Sequence, residues 1–177
     1  QQTGTGRVQN AFSVWIRPTE AANGPFALKA AIREVENWVQ AGLLPDEFAR
    51  MKKYLGSRIA LWASDPGRRL GWATEAVLMG WPDPIAELPE QIASLELSAV
   101  NEAIQRNIDP DGIDIVVVTG DGASFRDAVI EEGATPIVYG DSAPPEGSDQ
   151  SKKDAEIADI VLGISQSEII RTEEIFR

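Results

Sequence analysis

The stretch that decides the fold runs from Pro25 to Ala63 and reads PFALKAAIREVENWVQAGLLPDEFARMKKYLGSRIALWA. Its apolar residues recur at steps of three and four residues: Leu28, Ile32, Val35 and Val39, then Phe48, Met51, Leu55, Ile59 and Trp62. Residues at this spacing share one face of a helix. The stretch therefore predicts two amphipathic helices.

A short link, Ala41-Gly42-Leu43-Leu44-Pro45, separates the two predicted helices. Gly42 is typical of a helix end, because glycine adopts a left-handed backbone conformation at little cost. Pro45 suits the first turn of the next helix, where its missing N–H would have no partner. A link this short predicts that the two helices are antiparallel neighbours with a shared apolar layer.

The rest of the chain predicts further helices and short strands around this pair. The predicted helices are Gly67–Gly80, Ile85–Ser94, Ser98–Asn107 and Ser124–Glu132. The predicted strands are Phe12–Ile16, the β-branched run Ile113–Thr119, and Pro136–Tyr139. The sequence thus predicts an α+β fold, in which an antiparallel or mixed sheet packs against the helices of Pro25 to Gly80.

The composition divides the chain into a domain, a linker and a tail. Residues 1–140 are expected to form one α+β domain that is truncated at its N-terminus, since Gln1 is not a natural start. Residues 141–153 have prolines, glycine and charged side chains but no large apolar residue, which predicts an exposed linker loop. Residues 154–177 are expected to return to the domain through a set of apolar anchors: Ile157, Ile160, Val161, Leu162, Ile169, Ile170, Ile175 and Phe176.

The residue inventory excludes several classes of function. With 28 acidic and 16 basic residues the net charge is −12, which predicts no binding to nucleic acid or to anionic membranes. The chain has no His and no Cys, which excludes imidazole-based and thiol catalysis, disulfides and an imidazole-ligated zinc site. No apolar run reaches the roughly 18 residues of a membrane helix, so membrane insertion is not expected.

One turn carries a weak signal for nucleotide binding. Gly120-Asp121-Gly122 follows the predicted strand Ile113–Thr119 and precedes a predicted helix, an arrangement that can bind phosphate at a helix N-terminus. It lacks the three glycines of a dinucleotide fingerprint and the Gly-Lys-Ser or Gly-Lys-Thr of a phosphate-binding loop. A plain turn is favoured, and a small nucleotide-binding α/β module remains the least favoured function.

Three other groups of residues are weak candidates for chemistry: Asp109, Asp111 and Asp114; Glu34 and Glu36; Arg68 and Arg69. The aspartates lack the calcium-loop spacing, with no glutamate at the twelfth position. The two glutamates lie two apart on a helix and point to different faces. The two arginines near a helix start are a weak anion site. The sequence therefore predicts no catalytic, cofactor-binding or metal-binding residue in this chain.

The order of these residues resembles the C-terminal, non-zinc half of an M16 (pitrilysin, insulinase, processing-peptidase) zinc metallopeptidase. The resemblance covers nearly the whole chain. It rests on the junction from Ala41 to Leu55, the breaks at Ser64-Asp65-Pro66 and Gly80-Trp81-Pro82-Asp83, the run from Ile113 to Asp121, and the tail. Phe12–Ile16 is similar to the strand before the family's long helix pair.

This resemblance implies an enzyme part without an active site of its own. The family's His-x-x-Glu-His zinc motif lies in the other half, so zinc is expected in a missing N-terminal half or a partner chain. The implied role is the wall and substrate platform opposite the zinc, with a peptide substrate and the zinc-bearing half as partners. The alternative is a catalytically inactive partner subunit of a two-chain peptidase. Bacterial members imply the periplasm or cell envelope, with the cytoplasm left open.

Overall fold

The computed structural model describes residues 12–131 and 133–175, and this part of the chain is helical. Its α-helices are α1 (Gly24–Ala41), α2 (Pro45–Ala63), α3 (Pro66–Met79), α4 (Pro84–Ser94), α5 (Leu97–Asn107), α6 (Gly122–Ile130), α7 (Asp149–Ala158) and α8 (Thr172–Ile175). Short 3-10 helices cover Ala21–Asn23 and Pro110–Gly112. The chain divides into unit 1, residues 12–13 and 38–109, and unit 2, residues 14–37 and 110–175.

The predicted α+β fold is wrong, because the described residues contain no strand and no sheet. Phe12–Ile16, Ile113–Thr119 and Pro136–Tyr139 are non-helical segments without ladder partners. In the β-branched run, Val116 is 90% exposed and Val118 is 98% exposed. β-Branched residues favour extended backbone, but a strand also needs a neighbour that completes its hydrogen bonds. The sequence shows the β-branched residues, but it does not show whether a neighbouring strand is present to complete the hydrogen bonds.

The helix boundaries follow from local capping, and the helix predictions are confirmed to within two residues at most ends. Asp65 begins α3 by accepting a hydrogen bond from the Arg68 N–H at 2.8 Å. Asp83 begins α4 by accepting one from the Ile85 N–H at 3.0 Å. A proline occupies the first turn of α2, α3 and α4, where the backbone N–H has no helical partner.

The link between α1 and α2 is held by a side chain from α5. Gly42 has a φ of 73°, in the left-handed region that favours glycine. The Asn101 carboxamide accepts a hydrogen bond from the Leu43 N–H at 2.9 Å and donates to the Leu43 carbonyl at 3.4 Å. A Cβ on Gly42 would lie 2.5 Å from the Asn101 side chain. Glycine is therefore required here by backbone conformation and by space.

Unit 1 is built from α2 to α5, and α2 packs against α3 and α4. Ile59 of α2 and Ala76 of α3 are buried in it. The Lys52 ammonium donates to the Ala93 and Leu95 carbonyls at 2.8 and 3.0 Å, at the end of α4. Within unit 1, the apolar layer around Ile59 of α2 is therefore completed by the later helices α3 and α4.

Unit 2 has a small apolar core that joins the start of α1 to α7. Phe26, Ile157 and Ala158 are its buried members. Partly buried residues complete it: Ala30, Ile137 and Ile160. The Asn23 carboxamide adds a polar connection, because it donates to the Val138 carbonyl at 3.0 Å and accepts from the Val138 N–H at 2.7 Å.

The predicted linker and tail contain a helix that the residue pattern did not predict. Helix α7 begins at Asp149, inside residues 141–153, with the Ser148 hydroxyl accepting from the Ser151 N–H at 3.2 Å. Of the expected tail anchors, Ile157 is buried, whereas Ile169 is 43% exposed and Ile170 is 58% exposed. Phe176 lies outside the described residues.

Unit 1 exposes several large apolar side chains. Leu61, Leu70 and Val77 are each at least 67% exposed. They leave apolar area on this unit available for a partner.

Candidate functional site: an arginine–aromatic surface on α2 and α3

An apolar stripe with an arginine at its centre runs along the exposed side of α2. We define this α2 stripe as Met51, Tyr54, Arg58 and Leu61, spaced by three, four and three residues. This spacing places the four side chains on one helix face. Met51, Tyr54 and Leu61 are 51%, 52% and 67% exposed. Large apolar side chains in such a row are a feature of docking surfaces rather than of ordinary solvated helix faces.

Aromatic rings hold the arginine of the stripe in place. The Arg58 guanidinium carbon lies 5.6 Å from the centre of the Tyr54 ring and 5.0 Å from that of the Trp62 ring. The Arg68 guanidinium of α3 lies 5.5 Å from the same Trp62 ring. We call Tyr54, Arg58, Trp62 and Arg68 the arginine–aromatic ladder. Trp72 contacts Trp62 edge to face at 5.9 Å, which fixes the indole that both cations share.

The two guanidiniums of the ladder have no carboxylate partner within 4 Å in the described part of the chain. Asp65, the acidic residue nearest to both arginines in sequence, is engaged elsewhere, because its carboxylate caps α3 by accepting from the Arg68 N–H at 2.8 Å. A guanidinium that contacts a ring through its face keeps its N–H groups at its edge. Both arginines can therefore still bind an external anion.

The side chains of this surface are suited to binding a partner. Guanidinium donors suit the paired oxygens of a carboxylate or phosphate, and the flanking Met51 and Leu61 side chains suit an apolar partner.

Unit 2 contains a second polar cluster, which is buried and internally satisfied. The Lys29 ammonium, 2% exposed, donates to the Ala158 carbonyl at 2.8 Å and to the Gly133 carbonyl at 3.2 Å. Burial lowers the pKa of Lys29 below its usual value, and the Asp159 charge opposes part of that shift. A cation at the carbonyl end of α7 is also favoured by the helix dipole. Its role is to join α1 to the end of α7.

Tyr139 and Asp154 form another such contact. The Tyr139 hydroxyl donates to the Asp154 carboxylate, which also accepts from the Gln150 carboxamide at 2.9 Å. Asp154 is 8% exposed. The hydrogen bond to Asp154, with smaller contributions from burial and from the negative charge, raises the pKa of Tyr139 to about 12. Both partners are occupied, so this pair stabilises the tail rather than forming a reactive site.

The structure gives the Gly120-Asp121-Gly122 turn a capping role. The Asp121 carboxylate accepts from the Ser124 N–H at 3.0 Å and from the Ser124 hydroxyl at 2.7 Å. These bonds, led by that of the backbone, lower the pKa of Asp121. The carboxylate thus occupies the start of α6, where a bound phosphate would have to sit. This arrangement gives no support to the nucleotide-binding module.

The other weak candidates have different outcomes in the structure. Within residues 12–131 and 133–175, no group of three acidic side chains is arranged to hold a metal ion, and Asp109, Asp111 and Asp114 are exposed. Arg68 belongs to the ladder, whereas Arg69 makes no ring contact there. The sequence pattern did not identify Arg58 as a site residue. A signal was present, because Tyr54 and Trp62 lie four residues before and after it, on the same helix face.

The residues of this chain do not fit a zinc site. Zinc in proteins is held mainly by Cys sulfur and His nitrogen, and the chain has neither. Any zinc chemistry would therefore depend on residues of another segment or chain. Among the residues that the structure describes, no helix combines the length and the apolar character needed to cross a membrane.

Comparisons with known proteins identified no relative of this chain. No family model matches the chain, and neither a curated protein nor a solved structure matches it significantly. Its function must therefore be inferred from its own residues and their geometry.

Proposed function

We propose that this chain is the non-zinc half of an M16-like zinc metalloendopeptidase, in which it forms the wall and the peptide platform opposite the zinc site. The observation that carries the proposal is that three family-like segments coincide with helix boundaries. The residues that resemble the family at 41–48, 64–66 and 80–83 lie where one helix ends and the next begins in this structure. Helix boundaries at these points are what a shared arrangement of helices requires.

Two further observations support a platform role. Unit 1 exposes Leu61, Leu70 and Val77, each by at least 67%, as expected of a part that is completed by another. The α2 stripe and the arginine–aromatic ladder can bind a polypeptide without performing chemistry on it. Positioning alone can contribute strongly to catalysis, because a small misplacement of a bound substrate costs orders of magnitude in rate.

The same observations apply to a catalytically inactive partner subunit of a two-chain M16 peptidase. The exposed surface favours an external partner in both cases. The two proposals differ in whether the zinc-bearing half is joined to this chain or is a separate polypeptide. By resemblance to bacterial members, the periplasm or the cell envelope is the proposed compartment.

A reconstitution assay tests the proposal. An unstructured peptide is incubated with this chain, with the zinc-bearing half or partner, and with both together. We expect hydrolysis only from the combination, and its loss on adding a chelator. Turnover by this chain alone that survives chelation and repurification would overturn the assignment. Full activity of the zinc-bearing partner without this chain would remove the platform role.

A further inference from the structure

We propose that the α2 stripe is a docking surface for an acidic amphipathic helix of another polypeptide. The incoming helix places carboxylates against Arg58 and Arg68, and apolar side chains against Met51 and Leu61. This surface and its ligand chemistry rest on unit 1 of the isolated chain. They do not depend on the peptidase assignment.

The spacing of the stripe specifies a helical partner. Steps of three, four and three residues from Met51 to Leu61 reproduce the alternating pattern by which two helices pack along a common line. Three of the four positions carry large side chains that are at least half exposed. They lie beside, and not on, the side of α2 that buries Ile59 against the other helices of unit 1. A partner can therefore bind without displacing α3 or α4.

The charges of the surface specify an acidic partner. Arg58 and Arg68 are held by ring contacts at 5.0 to 5.6 Å and have no carboxylate within 4 Å in the described residues. Since the rings already fix the guanidiniums, less side-chain entropy is lost when a carboxylate binds. Hydrogen bonds between charged groups are also the stronger kind.

The net charge of the chain disfavours nucleic acid as the partner. A duplex carries one phosphate charge per about 1.7 Å of its length, and the chain as a whole has a net charge of −12. A short acidic helix brings few charges, and these act over a Debye length of about 8 Å at physiological salt. Its apolar residues also use Met51 and Leu61, which a phosphate backbone would leave without a partner.

The test is fluorescence anisotropy with labelled two-heptad peptides. The probe has leucine at its core positions and glutamate at the flanking ones. One comparison peptide replaces glutamate by lysine, and another replaces leucine by serine. We expect the full chain to bind only the first peptide well. Added salt should weaken binding, because the contact includes exposed charges.

Variants locate the binding on the surface. Arg58→Gln and Arg68→Gln should each weaken binding at least about tenfold, as the loss of a charged hydrogen bond predicts. Arg69→Gln is the matched control, since Arg69 neighbours Arg68 in sequence but makes no ring contact, and it should change affinity less than about twofold. Far-UV circular dichroism and thermal melting check that each variant folds. Met51→Ser with Leu61→Ser probes the apolar contacts on half-exposed side chains.

Several outcomes would overturn the proposal. One is equal binding of the lysine peptide, or unchanged affinity in folded Arg58→Gln and Arg68→Gln. Another is displacement of the probe by millimolar inorganic phosphate, which would reveal a simple anion site. Displacement by a single-stranded oligonucleotide at the probe's own concentration would assign the surface to nucleic acid instead. If Arg58→Gln fails to fold, the result of Met51→Ser with Leu61→Ser decides alone, and unchanged affinity in it also overturns the proposal.

Discussion

Gly42 shows how a single position can be fixed by two independent requirements. Its φ of 73° is costly for a residue with a side chain, by roughly 1–2 kcal/mol. The Asn101 side chain also fills the space that a Cβ would need. The sequence predicted the first requirement from the glycine at a helix end. It could not predict the second, because Asn101 is 59 positions further along the chain and reaches the link only in the folded structure.

Gly42→Ala should therefore lower the free energy of unfolding by at least about 1–2 kcal/mol, measured by urea denaturation. Gly56→Ala is the matched control, because Gly56 lies inside α2 with open space around its Cβ. There alanine should stabilise by up to about 1 kcal/mol. Asn101→Ala removes the hydrogen bonds to Leu43, but it should cost less in the Gly42→Ala background than in the native chain, because there it also relieves the clash. Equal effects of alanine at the two glycines would contradict this account.

The raised pKa of Tyr139 predicts a loss of stability at alkaline pH. Its pKa is raised from 10.0 to about 12 in the folded chain, so the folded state keeps a proton that the unfolded state loses. The stability from this hydrogen bond is fully present below about pH 10 and is lost as the pH rises through 12. The gap in unfolding free energy between the native chain and Tyr139→Phe should therefore shrink from pH 10 upward. A gap that stays constant up to pH 12 would show that Asp154 does not perturb this phenol.

At the scale of the element, α7 is the helix on which unit 2 depends. It supplies Ile157 and Ala158 to the core around Phe26 and the carbonyl that Lys29 binds. Its sequence gave a weak signal for a helix, because its start lies among the prolines, glycine and charges of residues 141–153. The Ser148 cap and the Tyr139–Asp154 contact stabilise it in the fold.

Ile157→Ala should destabilise the chain by about 2–5 kcal/mol, the usual cost of truncating a buried isoleucine. Ile170→Ala is its control, since Ile170 is 58% exposed, and it should change stability by no more than about 0.5 kcal/mol. Thermal and urea unfolding of both variants measure the difference. A larger effect at Ile170 than at Ile157 would contradict the assignment of Ile157 as the main anchor of the tail.

The helices were predictable and the sheet was not, for a physical reason. A helix closes its hydrogen bonds within one segment, so periodic residues and caps such as Asp65 and Asp83 are sufficient signals. A strand closes its bonds with a distant segment. The run Ile113–Thr119 has the β-branched composition of a strand, yet the described residues provide no ladder for it. The contact between Arg68 and Trp62 in the arginine–aromatic ladder was also not predictable, because it forms only when α3 folds back against α2.

At the scale of the whole molecule, the dominant feature is the small number of large apolar side chains that are buried. Among the described residues these are Phe26, Leu28, Val35, Ile59, Val129 and Ile157. Since apolar burial supplies most of the stability of a fold, an isolated chain with so few buried apolar side chains should be only marginally stable.

The urea m-value of the isolated chain should accordingly be smaller than that expected for its length, because the m-value scales with the area exposed on unfolding. Heat-capacity change measured by calorimetry provides an independent check, since it depends on the same area. Addition of a true partner should raise the melting temperature further as the partner concentration increases. A full-sized m-value for the chain alone would show that it buries more surface in solution.

Because Lys29 is buried, its chemical reactivity reports local opening of the structure around it. The chain has five lysines: Lys29, Lys52, Lys53, Lys152 and Lys153. An amine-reactive label added at low dose should acylate Lys53, Lys152 and Lys153 first, because their side chains are exposed. Lys29 can be acylated only when α7 separates from α1, so its labelling rate, followed by peptide mass mapping, measures the frequency of that local opening. The labelling of this one side chain therefore reports how often α7 separates transiently from α1.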